Sequence, residues 1–462
     1  MRVGRLALAA VLAVAGALAQ AEPPAQRPTV GMYRWQEDWS FLATSALRTE
    51  PGDALKYLAL SDDDPARYVS FGITLRERYE HNDAPRFGAT GVGTVDSLIH
   101  RLELHADVHL SERVRFFVQV ENALAPGLGR PGPADANKLD LRLAFVDGRL
   151  DAGDGLIKWR VGRQEMAFDL QRFISVRDGP NVRQAYDAIW GDYERGDWRL
   201  SGFVSRPVQY RNASAFDDVS NRHLAYGGVR VQRQAVAGGE FSATLSEYRN
   251  DDARFPAAAG EERRRNLDLR WVGNARGFDW DVEGMRQRGR LGGRAVEAWA
   301  LGALGGYTFA ALAWTPRLGV QIDAASGDRA RRDGRVGTFN PMFPNGYYVT
   351  LSGYTGYSNF IHFKPSLTLR PAAGVKVLAA LGTLWRQTMR DAVFAQPSLA
   401  LPRTAGAPGR RTANYVQLRI DWAAARNIAL AFEADRFDVA DVVRAAGGHD
   451  STYLGAELRW GW

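Results

Sequence analysis

Apolar and polar residues alternate with a period of two along this chain from Tyr68 to its last residue, and no other feature narrows the fold as far. Successive side chains of an extended strand point to opposite faces, so such alternation means a strand with one apolar and one polar face. In residues 68–80, Val69, Phe71, Ile73, Leu75 and Tyr79 share one face, and Ser70, Gly72, Thr74, Arg76, Arg78 and Glu80 share the other. Leu102, Leu104, Ala106, Val108 and Leu110 oppose Arg101, Glu103, His105, Asp107 and His109. Val114, Phe116, Val118 and Val120 oppose Arg115, Gln119 and Glu121. Leu139, Leu141, Leu143 and Phe145 oppose Asp140 and Arg142, and Ile157, Trp159 and Val161 oppose Lys158 and Arg160. The last segment places Thr452, Leu454, Ala456, Leu458, Trp460 and Trp462 on its apolar face, so the chain stops on an aromatic.

The links between these segments alternate in length. Short ones include Ser111-Glu112, Arg195-Gly196, Ala275-Arg276, Ala372-Ala373 and Ala424-Ala425. Long ones, rich in Gly, Pro and charge, fall near 123–138, 206–222, 250–263, 326–358 and 387–411. Short turns at one end and long loops at the other describe an all-β fold: a transmembrane antiparallel barrel of about 18 strands, with short periplasmic turns and long extracellular loops. A soluble β-sandwich also alternates. Here, however, the outer face is apolar in nearly every strand, and aromatics gather toward strand ends (Tyr79, Phe145, Trp159, Trp385, Trp422, Trp460, Trp462), as girdles at lipid interfaces do. A mean hydropathy of −0.30 agrees with a barrel, whose lumenal residues are polar.

Arg2 and Arg5 precede an apolar run, Leu6 to Ala19, that ends in Ala19-Gln20-Ala21. This is the pattern of a cleaved secretory signal over residues 1–21, and the run is too short for a membrane helix. Residues 22–67 then lead into or form the first strand, and residues 68–462 form the barrel. The chain has no cysteine, so its stability must come from something other than disulfides. Its net charge is +7, and only five of its 59 basic residues are lysine (Lys56, Lys138, Lys158, Lys364, Lys376). Acids are interleaved with these bases strand by strand, which argues against a nucleic-acid partner.

Few constellations suggest catalysis or a cofactor. His105, Asp107 and His109 share a strand face but have no His-rich partner segment to complete a zinc site, so they read as charged wall beside Arg101 and Arg76. Gly127-Leu128-Gly129-Arg130-Pro131-Gly132 matches a dinucleotide fingerprint by spacing, yet Pro126 and Pro131 make it a loop rather than a helix start. No motif marks a nucleophile, so neither catalytic residue, metal nor cofactor is expected. What remains is a lumenal ladder of Arg76, Arg78, Arg101, Arg115, Arg142, Lys158 and Arg160, beside Glu80, Glu103, Asp107, Glu121 and Asp140. Fixed guanidiniums around an aqueous pore favour anions and fork onto carboxylates. Many of these cations are also expected to pair with acids and stiffen the wall.

Six short stretches resemble, in order, the alginate-export family of outer-membrane porins. They are Arg34-Trp35-Gln36-Glu37-Asp38-Trp39, Leu75-Arg76-Glu77-Arg78-Tyr79-Glu80 and Arg160-Val161-Gly162-Arg163-Gln164-Glu165, then Arg177-Asp178-Gly179-Pro180-Asn181-Val182-Arg183, Ala325-Ser326-Gly327-Asp328 and Gly337-Thr338-Phe339-Asn340-Pro341-Met342-Phe343-Pro344. The resemblance implies an 18-stranded monomer with an arginine-rich constriction, and it carries Arg76, Arg78, Arg160, Arg163, Arg177 and Arg183 into matching motifs. Arg163 has the parity of Trp159 and Val161, which puts it near a strand end or turn. Arg177 and Arg183 flank a turn that could fold inward. Asp323, Asp328 and Asp333 add negative charge that could offset the arginines.

The expectation is therefore an outer-membrane channel, embedded in lipid, that passes anionic solutes. An acidic polysaccharide such as alginate is one candidate. Arg76, Arg78, Arg101, Arg142, Arg160, Arg163, Arg177 and Arg183 are the expected pore-lining residues. The alternatives are a diffusion porin for small organic acids and, in another class, a soluble periplasmic glycan-binding β-sandwich. The terminal strand should pair with an early one to close the seam, bringing Glu457 and Arg459 into the same wall as Arg76 and Arg78.

Overall fold

The computed structural model describes residues 27–330 and 333–462, so the signal sequence expected over residues 1–21 lies outside the described residues. Eighteen antiparallel strands close into a barrel. In chain order they are β1 (Tyr68–Asn82), β2 (Val95–His109), β3 (Val114–Leu124), β4 (Asn137–Ala152), β5 (Gly155–Gln164) and β6 (Tyr186–Arg195). Then come β7 (Trp198–Gln209), β8 (Leu224–Val236), β9 (Gly239–Arg254), β10 (Ala259–Ala275), β11 (Phe278–Leu291) and β12 (Arg294–Thr308). The last six are β13 (Arg317–Ala325), β14 (Phe360–Ala372), β15 (Val375–Trp385), β16 (Arg411–Ala425), β17 (Ile428–Val439) and β18 (Ser451–Gly461). Each pairs with its sequence neighbour, and β18 pairs with β1, so no edge is left unpaired. Lipid offers backbone groups no hydrogen bonds, and closure is what satisfies them.

The seam forms as expected. Leu75 lies opposite Trp460, Arg76 opposite Arg459, and Arg78 opposite Glu457. Trp462 departs from the apolar row. It lies just beyond β18, where the Lys56 ammonium sits 4.4 Å from its ring and Gly52 packs against it. A short α-helix, α1 (Asp53–Lys56), thus covers the aromatic terminus. Residues 27–67 contribute no spanning strand; Leu58–Ala59 adds a two-residue pairing to the start of β1. Lys56 also donates to the Phe71 carbonyl at 2.7 Å, which ties this segment to the wall.

Alternation predicts the faces of most strands, but β4 departs from it. Arg142 is an extra residue between the pairs Val120–Leu141 and Gln119–Leu143, a bulge that shifts the register. Leu143 and Phe145, expected on the lipid face with Leu139, therefore turn inward. They pack with Phe117, Ala185 and Val208 and are almost fully buried. Phe145 is accordingly no girdle residue.

The segment near 250–263, expected as a long loop, is mostly strand: β9 runs to Arg254, β10 restarts at Ala259, and only 255–258 link them. Its density of charge reads as loop, but strands that project past the lipid can carry charge on both faces. The turn expected at Ala424-Ala425 falls at 426–427, since both alanines belong to β16. Two of the long connections, 165–185 and 326–359, do not stay outside. They fold into the lumen and meet where Ile174 bridges Phe343.

Candidate functional site: the charged lumen

The connection 165–185 puts Asp178 at the middle of an arginine cage. Its carboxylate lies 2.7 Å from Arg101 and 2.5 Å from Arg459, with Arg183 at 3.5 Å and Arg76 at 3.7 Å. Burial alone would raise its pKa, but Arg459, Arg101, Arg183 and Arg76 outweigh burial and hold it well below the usual carboxylate range. The same turn offers backbone carbonyls to the wall. Arg76 donates to Asp178 O (2.7 Å) and Pro180 O (3.2 Å), Arg78 to Gly179 O (2.8 Å) and Arg101 to Asn181 O (3.0 Å). Arg177, just before the turn, adopts φ +51°, a left-handed conformation that is costly for a side chain of its size.

The connection 326–359 closes over this turn. The Tyr347 hydroxyl donates to Gly179 O at 2.5 Å and contacts the Arg78 guanidinium. A Cβ on Gly179 would stand 2.9 Å from the Tyr347 ring, so the approach needs glycine. Nearby, Arg172 spans the lumen to Asp281 (2.9 Å) and Glu283 (2.5 Å), and Tyr348 links it to Asp323. Asp323 also binds His362 at 3.0 Å, so the acid expected to offset the arginines is held within its own buried group.

Seven of the eight expected pore residues therefore meet a carboxylate. Arg76 lies 3.7 Å from Glu457, and Arg78 reaches Glu80 (2.7 Å) and Glu457 (3.3 Å). Arg101 holds Asp178, Arg142 binds Glu165 at 2.8 Å, and Arg183 reaches Glu165 and, at 3.5 Å, Glu103. Arg160 binds Asp147 at 2.6 Å, with its guanidinium 3.9 Å from the Trp35 ring and 4.1 Å from Phe145. Arg163 has outward parity near the end of β5 and binds Asp187 (2.9 Å) and Leu141 O (3.0 Å), apart from the Asp178 cage. Arg177 instead stands 5.9 Å over the Phe343 ring. The family-like stretches converge in space: Trp35 donates to Glu165 at 3.0 Å, and Arg34 donates to Ile73 O, Thr74 and Trp462 O.

The stretch His105, Asp107 and His109 is occupied otherwise than expected. Asp107 pairs with Arg115 at 3.4 Å rather than with Arg101 or Arg76, because Arg115 lies diagonally across on the adjoining strand, opposite His109. His105 stacks on Phe117 and His109 on Tyr68, at 5.3 and 4.2 Å between ring centres.

A small cleft is left between the connection 326–359 and the wall of β16–β18, lined by Tyr347, Leu351, Arg419, Glu433, Glu457 and Arg459. Each of the two arginines leaves 29% of its side chain exposed. Their partners Glu433 (2%), Asp178 (8%) and Glu457 (10%) lie beneath them; only Asp421, which also binds Arg419, is as open at 28%. The surface facing the cleft is thus richer in guanidinium than in carboxylate. Alternation showed Arg459 facing inward, but nothing local marked Arg419 or Asp178. The signal that was available is the aromatic content of 326–359, where Phe339, Phe343, Tyr347, Tyr348, Tyr354 and Tyr357 are too many for a loop meant to stay in water.

Solved structures of similar fold come from Pseudomonas aeruginosa. OccK3 (OpdO) aligns at TM-score 0.56 and 13% identity, covering 85% of this chain and 95% of its own. OccK9 (OpdG) aligns at 0.56 and 12%, covering 85% and 98%. OccK2 (OpdF), solved in complex with glucuronate, aligns at 0.54 and 12%, covering 85% and 97%. At these identities the likeness shows the fold. Among curated protein sequences none matches. The sequence model of the alginate export family matches residues 67–457, the whole barrel but its last residues. With its closed barrel of eighteen strands, the chain belongs to the alginate export family of outer-membrane proteins.

Proposed function

We propose that the protein is an outer-membrane channel for anionic solutes, and that the solute passes the cleft between the connection 326–359 and β16–β18. The observation that carries this reading is the unequal exposure of the ion pairs there. Arg419 and Arg459 present guanidinium edges, while Glu433, Asp178 and Glu457 stay below. A passing carboxylate can exchange one arginine hydrogen bond for another without either charge being stripped bare. Family membership and the glucuronate held by OccK2 support a sugar acid as the substrate class.

The cleft favours small carboxylates over a thick polymer, because the two connections that fold into the lumen narrow the passage. An acidic polysaccharide would have to thread it one residue at a time. No step in this passage calls for catalysis. Reversal potentials in a salt gradient across planar bilayers test the selectivity, and glucuronate block of the current tests the substrate class. Anion selectivity that falls in the double variant Arg419→Gln/Arg459→Gln is expected. Cation selectivity in the unaltered protein would overturn the reading.

A further inference from the structure

We propose that the outward face of β9–β12, on the extracellular side of the lipid belt, binds phosphorylated headgroups of the surrounding lipid. The strands here project farthest relative to their links, which are only 255–258 and 292–293. Lipid-facing positions on these strands are apolar toward the periplasm and become arginine toward the outside. On β10, Trp271, Leu269 and Leu267 give way to Arg265 and Arg263; on β11, Val282 gives way to Arg286, Arg288 and Arg290. This face is outside the lumen and takes no part in the passage of solute.

Register sets like charges against each other on this face. Arg263 lies opposite Arg249 on one side and Arg290 on the other, and Arg265 lies opposite Arg288. Like charges directly across a sheet repel, so such rows call for a counter-charge. The protein supplies too little. Glu247 serves Arg249 (2.7 Å), Arg263 (2.9 Å) and Arg265 (3.5 Å); Glu297 serves Arg286 (2.7 Å), Arg335 (3.3 Å) and Arg288 (3.9 Å). Asp251 and Asp252, farther out, are engaged by His223 and Arg254, and Glu261 stands beyond Arg263 at the strand tip. Glu247 and Glu297 therefore serve six guanidiniums between them, each of which remains about half exposed or more.

Position selects the partner. Same-face side chains on a strand step by about 6.6 Å, so Arg265 and Arg263 stand one and two steps outside Leu267. The polar headgroup layer begins where the hydrocarbon ends and is only some 5–8 Å deep on each side. Phosphate esters of a lipid whose acyl chains lie along Leu245, Leu267, Trp299 and Leu301 would meet this arginine row, and guanidinium forks onto phosphate bidentately. A soluble anion would gain the charge but not the apolar contact below it.

The test uses the full-length protein in phosphatidylcholine nanodiscs doped with bisphosphorylated lipid A, with retained lipid counted by native mass spectrometry. Retention of lipid A about tenfold above its dephosphorylated analogue is expected, with no displacement by inorganic phosphate. The triple variant Arg263→Gln/Arg265→Gln/Arg288→Gln should lose that preference, and the corresponding triple Lys variant should keep most of it. Heat-shifted gel mobility checks that each variant has folded. If the Gln variant fails that check, the phosphate dependence in the unaltered protein and the Lys variant decides. Equal retention of the dephosphorylated lipid, an unchanged preference in a folded Gln variant, or displacement by inorganic phosphate would each overturn the proposal. The proposal rests on the barrel's lipid-facing surface alone, so loss of anion selectivity in bilayers would leave it standing.

Discussion

Replacing Asp178 by asparagine removes one negative charge from the arginine cage while keeping the side chain's size. Its carboxylate lies within 3.7 Å of Arg76, Arg101, Arg183 and Arg459, and Arg459 lines the cleft. A unit charge about 6 Å from a passing ion is worth about 0.7 kcal/mol at the dielectric of water, and about 2.8 kcal/mol at an effective value near 20. The smaller figure alone raises anion occupancy about threefold and lowers cation occupancy by the same factor. Anion-to-cation permeability should therefore rise by about tenfold or more, read as a shift of reversal potential toward the chloride limit. The inserted turn should loosen as well, because stripping one partner from a buried ion pair typically costs about 3–5 kcal/mol. Glu457, Glu103 and Glu165 still hold three of these arginines, which places the cost at the lower end. Limited proteolysis after Arg177 and Arg183 should become faster. An unchanged reversal potential, or a shift toward cations, would refute the assignment of Asp178 as the charge that tempers the lumen.

Acid should act on the same residue. Because Asp178 is depressed in the folded state, its contribution is complete above the ordinary carboxylate range and is lost only as pH falls through its lower folded value. Channels should thus keep their selectivity well below about pH 4, the region of the unperturbed Asp value, and drift toward the behaviour of Asp178→Asn only as pH falls through the depressed folded value. Gly179→Ala should separate Tyr347 from the inserted turn and raise single-channel conductance, whereas Tyr347→Phe should do so more weakly, since the ring remains. The double variant Arg76→Gln/Arg160→Gln should reduce anion preference; an unchanged preference would confine both residues to bracing the wall. Lys56, pushed down to about 8 by burial, gives the amino-terminal segment a pH dependence of the same sign in a higher window. Between that value and 10.5 the undocked segment binds more protons, so docking should tighten as pH rises through this window. Hydrogen exchange over residues 27–67 would read it, and Lys56→Met should abolish the trend.

The barrel was legible in the sequence because period two is a local property, and each strand carries its own. Strand number, the β1–β18 seam and the inward parity of Arg76, Arg78, Arg101 and Arg160 follow from it, whereas Arg177 and Arg183 were marked only by the family resemblance. What escaped was non-local. The inversion at Leu143 and Phe145 depends on one extra residue, Arg142, set against β3 rather than on anything within β4 itself. Asp178 belongs to a stretch that reads as a turn, yet its importance lies in four arginines from β1, β2, β18 and its own connection. Arg419 sits in an ordinary alternating strand and becomes prominent only because a distant connection stops short of covering it. Charge density misled at 250–263, where it marked strands rising past the lipid rather than a loop.

The seam also bears on the order of assembly. Arg78 and Glu457 meet across 379 residues of chain, so the last rung cannot form until the final strand has been delivered. Arg34 then binds the carbonyl of Trp462 and that of Ile73, one from each side of the closure. The amino-terminal segment therefore works as a latch: it can engage fully only when both ends of the sheet are in register. A barrel closed one rung out of step would leave that guanidinium without its paired acceptors, so the latch favours the closed sheet that is in register.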